Sequence, residues 1–373
     1  MRTDKGLRVA LFTHALDGRA VSQVVIAVAR AMTALGVQSS VITTSTEDGV
    51  VGNDVEVVRV GNSTGRTYRA LPSLIRLLRR RPFDVLISHV NGPNRTAAVA
   101  RILAGARRPF LIAVEHNHFS SYTWSFPVLR RLATRALYPL TDAIVAVSPG
   151  VQDDLASLLP RLSKKIRVIP PPLTRWDDIP SLIAAEPEHP WLLDGLPTIT
   201  NVANVSPRKD QRTLIEALAI LNVRGNPVRL LIIGRADDHE YASRLKALAS
   251  ELGVQHLADF LGFRDNPLSF VARSRAFVLS SVNEGMPLSL LEAMACNVPI
   301  ISTDCPSGPG WLLEEGRCGL LVPMRDPSAM AEAIERVLHD PVLTDRLIAA
   351  GRERVESFSP QRIAHAYLDL VGG

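Results

Sequence analysis

The chain has 373 residues, 46% hydrophobic and 21% charged, which excludes a disordered or fibrous protein and fits two domains of about 150–200 residues. No apolar run approaches the roughly 20 residues that cross a bilayer, the opening VALF run is too short for a signal peptide, and Cys296, Cys305 and Cys318 lack C-x-x-C spacing, so they read as small buried reduced thiols of a cytosolic protein rather than disulfides or a zinc site. The net charge of +5 is uneven, with 24 Lys and Arg against 13 Asp and Glu in residues 1–180 and 18 against 24 in residues 181–373.

In chain order, short β-branched runs at 7–12 (LRVALF), 39–43, 54–60, 84–89, 109–116 and 143–148 alternate with helical periodicity, clearest at 20–36 and 94–105. Strands alternating with amphipathic helices imply βαβ units and a parallel sheet. Arginines cluster at 68–83, 101–110 and 129–137. In the first cluster Leu71, Leu74, Ile75, Leu77 and Leu78 form an apolar stripe beside Arg69, Arg76, Arg79 and Arg80. Such a helix either docks on an anionic membrane surface or packs its stripe on a sheet and leaves its arginines in water. Around Ile169 the pattern breaks into IPPPLTRWDDIPSLIAAEPEHPWLLDGLP, dense in proline and acids, which reads as an interdomain linker.

A second alternating series follows, with strands at 197–202, 228–234 (VRLLIIG), 257–263 (LADFLGF), 276–282 (AFVLSSV), 298–304 (VPIISTD) and 319–323 (GLLVP) separated by helical stretches. Residues 326–373 are nearly all helical in pattern. The expected boundaries are a first Rossmann-like domain at 1–175, a linker at 176–195, a second such domain at 196–355, and a helix at 356–373 that crosses back to the first. Ligands in doubly wound sheets bind beyond the carboxyl ends of the strands, so the two rims are expected to line one cleft.

Within SSVNEGMPLSLLEAMACNVPIISTD (280–304), two glutamates flank a Gly-x-Pro turn inside an apolar run. Glu284 and Gly285 fall in the turn after a buried strand. Pro287 suits the first helical position, where its missing N–H costs nothing. The unpaired N–H groups of Leu288, Ser289 and Leu290 then make a phosphate site with the positive end of the helix dipole. Glu292, one turn beyond Leu288 on the same face, is placed to accept from vicinal ribose hydroxyls. Glu284 is placed to accept from hydroxyls beyond the phosphates. The spacing alone arises by chance; its position between strand, turn, helix and the Asn297 cap gives it meaning.

At these residues the sequence resembles the retaining glycosyltransferases of family 4, whose GT-B fold has two Rossmann-like domains and whose signature looks like EG(F/M)PxxxxEAMAxGxPVIxxD. LLIIG, ADFLGF and GLLVP match the C-terminal half, and LRVALF…DG, DAIVAVSPGV and IRVIPPP the N-terminal half. DCPSGP (304–309) resembles the branch that builds lipid-linked glycans and surface polysaccharides. The resemblance implies a nucleotide-sugar-binding second domain and an acceptor-binding first domain. It implies that Glu284 holds donor-sugar hydroxyls, Glu292 the ribose, the turn of Gly285, Met286 and Pro287 with Leu288 to Leu290 the distal phosphate, and Lys209 the diphosphate charge. Charge gathers on a departing nucleoside diphosphate, so a fixed cation there stabilises the transition state. The base is expected near Phe263 and Arg264.

Two departures stand out. The family usually carries Gly-Arg where this chain has Ala203-Asn204, so Arg208 or Arg235, after the strand ending at Gly234, must supply the second cation. In the first loop, Gly18-Arg19 replaces Gly-Gly; Gly18 can still bring its backbone close to the donor. His116 matches a family histidine that touches the transferred sugar, with His118 and His89 nearby in the sequence or sheet. No carboxylate pair for double displacement is offered. The implied mechanism is retention by front-face departure, without metal or other cofactor, the leaving phosphate taking the proton of the incoming hydroxyl while closure excludes water. The expected partners are a nucleotide sugar, most simply UDP-linked, a glycan or lipid-linked acceptor, and an anionic membrane surface under the basic first domain, at the cytoplasmic face. The alternatives are a nucleotide-sugar 2-epimerase, an inactive transferase, or a nucleic-acid binder; the 5% aromatic content and lack of a stacking platform oppose the last.

Overall fold

The structure, a computed structural model, describes residues 6–45, 54–61, 67–105, 108–120, 127–193 and 195–372. The chain separates into one unit formed by Met1–Thr174 with Phe358–Gly373, and a second formed by Arg175–Ser357. In the first unit the elements run β1 (Arg8–Thr13), α1 (Ala20–Ala34), β2 (Gln38–Thr43), β3 (Glu56–Arg59), α2 (Leu71–Arg80), β4 (Val85–His89), α3 (Asn91–Ala104), β5 (Phe110–Glu115), α4 (Pro127–Leu137), β6 (Ala143–Ala146), α5 (Pro149–Leu158) and β7 (Ile166–Val168). The second contains α6 (Ile179–Ala184), β8 (Thr198–Val202), α7 (Gln211–Val223), β9 (Arg229–Ile233), α8 (His239–Glu251), β10 (Ala258–Gly262), α9 (Leu268–Val271), β11 (Ala276–Leu279), α10 (Leu288–Ala295), β12 (Ile300–Thr303), α11 (Pro309–Leu312), β13 (Leu320–Val322), α12 (Pro327–His339) and α13 (Pro341–Val355). The last helix, α14 (Pro360–Gly372), returns to the first unit and packs on α1, where Leu173 N–H donates to Phe358 O at 2.9 Å.

Both sheets are parallel throughout, with strand orders β3-β2-β1-β4-β5-β6-β7 and β10-β9-β8-β11-β12-β13. The order reverses beside β1 in one and beside β8 in the other, which makes each a doubly wound sheet with a crevice at its carboxyl rim. The central strands read as continuous apolar runs because helices cover both faces: Val9 to Phe12, Val85 to Ile87 and Phe277 to Leu279 are all but fully buried. Among the described residues no helix is long and apolar enough to cross a membrane.

Of the two readings of the 68–83 stripe, packing on a sheet is the one found. The apolar stripe of 68–83 is interior: Leu74 and Leu78 are buried in the core with Phe12, Leu86 and Leu111, and Leu71, Ile75 and Leu77 pack against that cluster. Amphipathicity identified a face needing cover, and the sheet and α3 supply it. The Pro-rich stretch after residue 175 is folded onto the second unit. Asn266 and Arg273 donate to the carbonyls of Leu182 and Ile183 at 2.9 Å each, His189 Nε2 lies 3.1 Å from Asp259 Oδ2, and Trp191 packs with Leu231, Ile233 and Phe270. Pro180 and Pro190 sit in the first turns of short helices, where they start structure.

Candidate active site

At the carboxyl rim of the second sheet, the loop after β8 is tied to the end of β11. Ser280 Oγ donates to Lys209 O at 2.8 Å and Val282 N–H to Arg208 O at 3.0 Å. Asp210 turns the chain into α7 with φ 47°, a left-handed conformation that its hydrogen bond from Thr213 Oγ1, 2.7 Å, helps to hold. These ties bring two cations to one buried carboxylate. Lys209 Nζ ion-pairs with Glu284 Oε1, Arg208 Nη1 lies 3.3 Å from Oε2 and 3.0 Å from Asn283 O, and Ser281 Oγ donates to Oε1 at 2.6 Å. Glu284 is 5% exposed. Burial alone would push its carboxyl up, but Lys209 and then Arg208 outweigh it and hold the group below the usual carboxylate range. Of the two replacement cations weighed above, Arg208 thus stands beside Lys209, whereas Arg235 lies over the Phe263 ring at 4.5 Å.

The turn itself departs from expectation by one residue. Pro287 is the cap residue preceding α10, with φ −78° and ψ 95°, and Leu288 is first in the helix. Leu290 N–H is not free; it donates to Pro287 O at 3.1 Å, closing a tight first turn. Leu288 and Ser289 are left as the N–H donors without intrahelical acceptors. Gly285, Met286 and Pro287 are buried. Beneath them lies a residue that motif reading missed: a Cβ at Gly308 would stand 2.5 Å from Pro287 Cδ and 3.2 Å from Gly285 O. Only glycine lets the DCPSGP loop seat there, and Pro306 O accepts from Glu284 N–H at 3.3 Å.

Glu292 is half-buried one turn into α10, and among the described residues no hydrogen bond or ion pair reaches its carboxylate. Burial pushes the carboxyl up to about 7, against the favourable field of Arg175. Asn297 takes the left-handed position after α10 at φ 57°, as expected.

Neighbouring strands frame the same rim. Gly234 approaches the preceding loop so closely that a Cβ would lie 2.1 Å from Ala203 O. Ala203 N–H donates to Ile233 O and Val205 N–H to Arg235 O, at 2.9 and 2.8 Å. Asn204 is exposed; its side-chain amide donates to Asp237 at 3.5 Å, and its carbonyl accepts from Gln211 at 3.1 Å. Phe263, 53% exposed, presents an open ring face backed by Arg235.

On the first unit's rim, Gly18 follows β1 with φ 73° and open space where a Cβ would be. Arg19 folds back on Asp17 at 3.4 Å. His116, half-buried after β5, is joined to the wholly buried His89 at the end of β4, Nε2 to Nδ1 at 3.0 Å. His118 instead faces Asp154 at 3.5 Å. The His89–His116 couple was within reach of the sequence, since both residues end adjacent strands of one sheet.

Comparison with known proteins matches both halves. Residues 21–174 match the family Glycosyltransferase Family 4, and residues 188–354 match Glycosyl transferases group 1. The lipopolysaccharide core biosynthesis glycosyltransferase LpsE of Rhizobium meliloti (strain 1021) is 33% identical over 232 residues, 62% of this chain, and the match spans 64% of that protein's length. A Campylobacter jejuni protein named N-acetylgalactosamine-N,N'-diacetylbacillosaminyl-diphospho-undecaprenol 4-alpha-N-acetylgalactosaminyltransferase is 26% identical over 305 residues, 80% of this chain and 79% of that one. Among solved structures, Anabaena Alr3699/HepE in complex with UDP superposes with a TM-score of 0.82 at 18% identity, covering 98% of this chain and 100% of that one. The chain belongs to the group 1, family 4 glycosyltransferases and has their GT-B fold.

Proposed function

We propose that the protein is a retaining, metal-independent glycosyltransferase that moves a sugar from a UDP-linked donor to a lipid-linked glycan acceptor in surface polysaccharide or glycoconjugate assembly. The observation that carries this reading is the convergence of Lys209 and Arg208 on the buried Glu284, against the Glu-Gly-Met-Pro turn that opens α10. In this reading the diphosphate takes its place beside Lys209, Arg208 and the N–H groups of Leu288 and Ser289. These donors are fixed before the leaving group gathers charge, which is the requirement for transition-state stabilisation. Glu284 keeps its charge through the same cations and accepts from sugar hydroxyls, Glu292 accepts from the ribose, the Phe263 face and Asn204 border the base, and Gly18 and His116 serve the sugar from their own rim. The departing phosphate then takes the acceptor's proton. The naming of relatives for lipopolysaccharide core synthesis and for undecaprenol-linked substrates, and the UDP complex of HepE, support the choice of donor and acceptor class.

A thermal-shift screen of UDP-, GDP- and ADP-sugars tests the donor. A ligand present at about 100 times its Kd stabilises the folded state by about 2.7 kcal/mol, so UDP-sugars are expected to raise Tm by several degrees and the others by much less. No shift with any of the three, or epimerised sugar formed without acceptor, would remove the proposal.

The membrane contact is assigned to α4 in place of α2. Val128, Leu129 and Leu132 of α4 are 69%, 65% and 57% exposed and interleave with Arg130 and Arg131. Apolar side chains open to water beside guanidinium groups fit the headgroup boundary of an anionic bilayer. Replacing Leu129 and Leu132 by aspartate is expected to abolish co-flotation with anionic vesicles while leaving Tm unchanged; undiminished flotation would refute the assignment.

A further inference from the structure

We propose that His89 is a positioning residue that holds His116 as a neutral imidazole with its proton on Nδ1, so that His116 meets substrate as a hydrogen-bond donor. The inference rests on the reading of His116 as the histidine that touches the transferred sugar, and it deepens that reading.

His89 Nδ1 and His116 Nε2 are 3.0 Å apart and share one proton when both rings are neutral. Two arrangements are open. If His116 donated through Nε2, the proton of His89 would have to sit on its own Nε2. That atom is buried and has no hydrogen-bond partner among the described residues. A buried N–H without an acceptor is rarer in folded proteins than an unused acceptor. In the other arrangement His89 Nδ1–H donates to His116 Nε2, only a lone pair is left unused on His89, and the proton of His116 is confined to Nδ1. No sequence rule assigns this; it follows from which nitrogen is stranded.

The surroundings hold the couple in place. Val90, directly after His89, has φ 66° and ψ 156°, a conformation that a β-branched residue adopts only where its neighbours over-determine it. Its N–H donates to Val114 O at 2.9 Å, tying the end of β4 to β5. The nearby titratable groups are otherwise engaged. The Glu115 carboxyl is bonded to Tyr138, Asn94 and Asn91, and Asp154 of α5 serves the Phe119 and Ser120 N–H groups and faces His118. Burial pushes His116 down to about 4, and burial with the neighbouring His116 holds His89 well below the usual imidazole range. The pair therefore stays neutral across the physiological range, and His116 cannot serve as an imidazolium.

Nitrogen-15 NMR of histidine-labelled full-length protein tests the couple without any substrate, with His116 assigned through the signal lost in His116→Gln. The expected result is a neutral Nδ1–H tautomer for His116 from pH 5.5 to 8. An Nε2–H tautomer, or titration of His116 near 6.5, would overturn the proposal. In His89→Asn the amide can replace the Nδ1–H donor, so the tautomer is expected to persist with kcat within about 3-fold of the parent. In His89→Leu the tautomer is expected to mix, the His116 pKa to rise, and kcat to fall about 10–100-fold with donor KM little changed. Equal losses in both variants would make His89 a packing residue only and end the proposal. Absence of transferase activity with every donor would defeat the functional reading, while the NMR result would still decide whether His89 sets the tautomer.

Discussion

Replacing Lys209 with alanine is expected to lower kcat/KM by about 10²–10³-fold, as for loss of one preorganised donor to a charge formed in the transition state, and to cost about 3 kcal/mol of stability, as for stranding one partner of a buried ion pair. Both effects come from one fact: Lys209, with its side chain 13% exposed, is the nearer of two cations on a carboxylate whose side chain is 7% exposed. Arg208 remains, but its side chain is 46% exposed and so more heavily screened, and it lies 3.3 Å from the other oxygen. The pH dependence separates the two effects. In the parent protein Glu284 titrates below its unfolded value, so its contribution is present above about pH 4.5, and it is lost as pH falls through the folded value. In the variant, burial acts with less opposition and the carboxyl titrates higher, so the penalty grows as pH rises. The stability gap between parent and variant, read as a denaturant midpoint, is therefore expected to widen from pH 4 to pH 7. Adding Glu284→Gln to Lys209→Ala should restore much of the stability and none of the turnover, since the stranded charge is removed but the diphosphate still lacks its cation. A Lys209→Ala protein that folds and turns over at the parent rate would dispose of the proposed role.

The parts of this architecture that depend on local pattern were legible, and the parts that depend on which surfaces meet were not. The alternation of β-branched runs and amphipathic helices announced two parallel sheets, and strand ends fall within a few residues of the expected ones: 7–12 against Arg8–Thr13, 276–282 against Ala276–Leu279. The strand, turn and helix around Glu284 were readable for the same reason. The pairing of Lys209 with Glu284 spans 75 residues and two β-α connections, so no window of sequence contains it. The α2 stripe shows the complementary limit. A helix with one apolar face states that the face must be covered, and cannot state whether lipid or a sheet covers it. Gly308 is silent in sequence because its role is defined by Pro287 and Gly285 lying against it, and the short helices of the Pro-rich stretch after residue 175 were not legible because proline both breaks and begins helices.

The substitution Glu292→Gln is expected to make the ligand-free protein more stable at pH 8, not less, while destroying its affinity for donor. Burial pushes the Glu292 carboxyl up to about 7, with Arg175 the opposing influence. Against an unfolded value near 4.3, the sign is fixed: below about pH 4 the group is protonated in both states and contributes nothing to the balance. As pH rises toward 7 the unfolded chain ionises first and is favoured, and above 7 the native state carries the full penalty, roughly 3–4 kcal/mol. Glutamine removes that penalty, so the variant and parent should have equal denaturant midpoints near pH 4 and diverge above it, the variant being the more stable. Binding runs the other way. If the carboxylate accepts from two ribose hydroxyls, each charged hydrogen bond contributes about 1.5–3 kcal/mol, and loss of both should weaken a UDP-sugar by about 100-fold or more. The parent should also bind a UDP-sugar about 10-fold more weakly at pH 6 than at pH 8, because the carboxylate must first shed its proton, whereas the glutamine variant should show no such slope. A UDP-sugar rather than UDP is the proper probe, since a terminal phosphate titrates in the same range. Lower stability of Glu292→Gln at pH 8 would mean that the carboxylate already has a partner in the empty site, and unchanged affinity would move the ribose elsewhere. The expected pairing of gain and loss follows from a single physical condition: a half-buried charge kept without a mate is a cost the fold bears only where a ligand completes it.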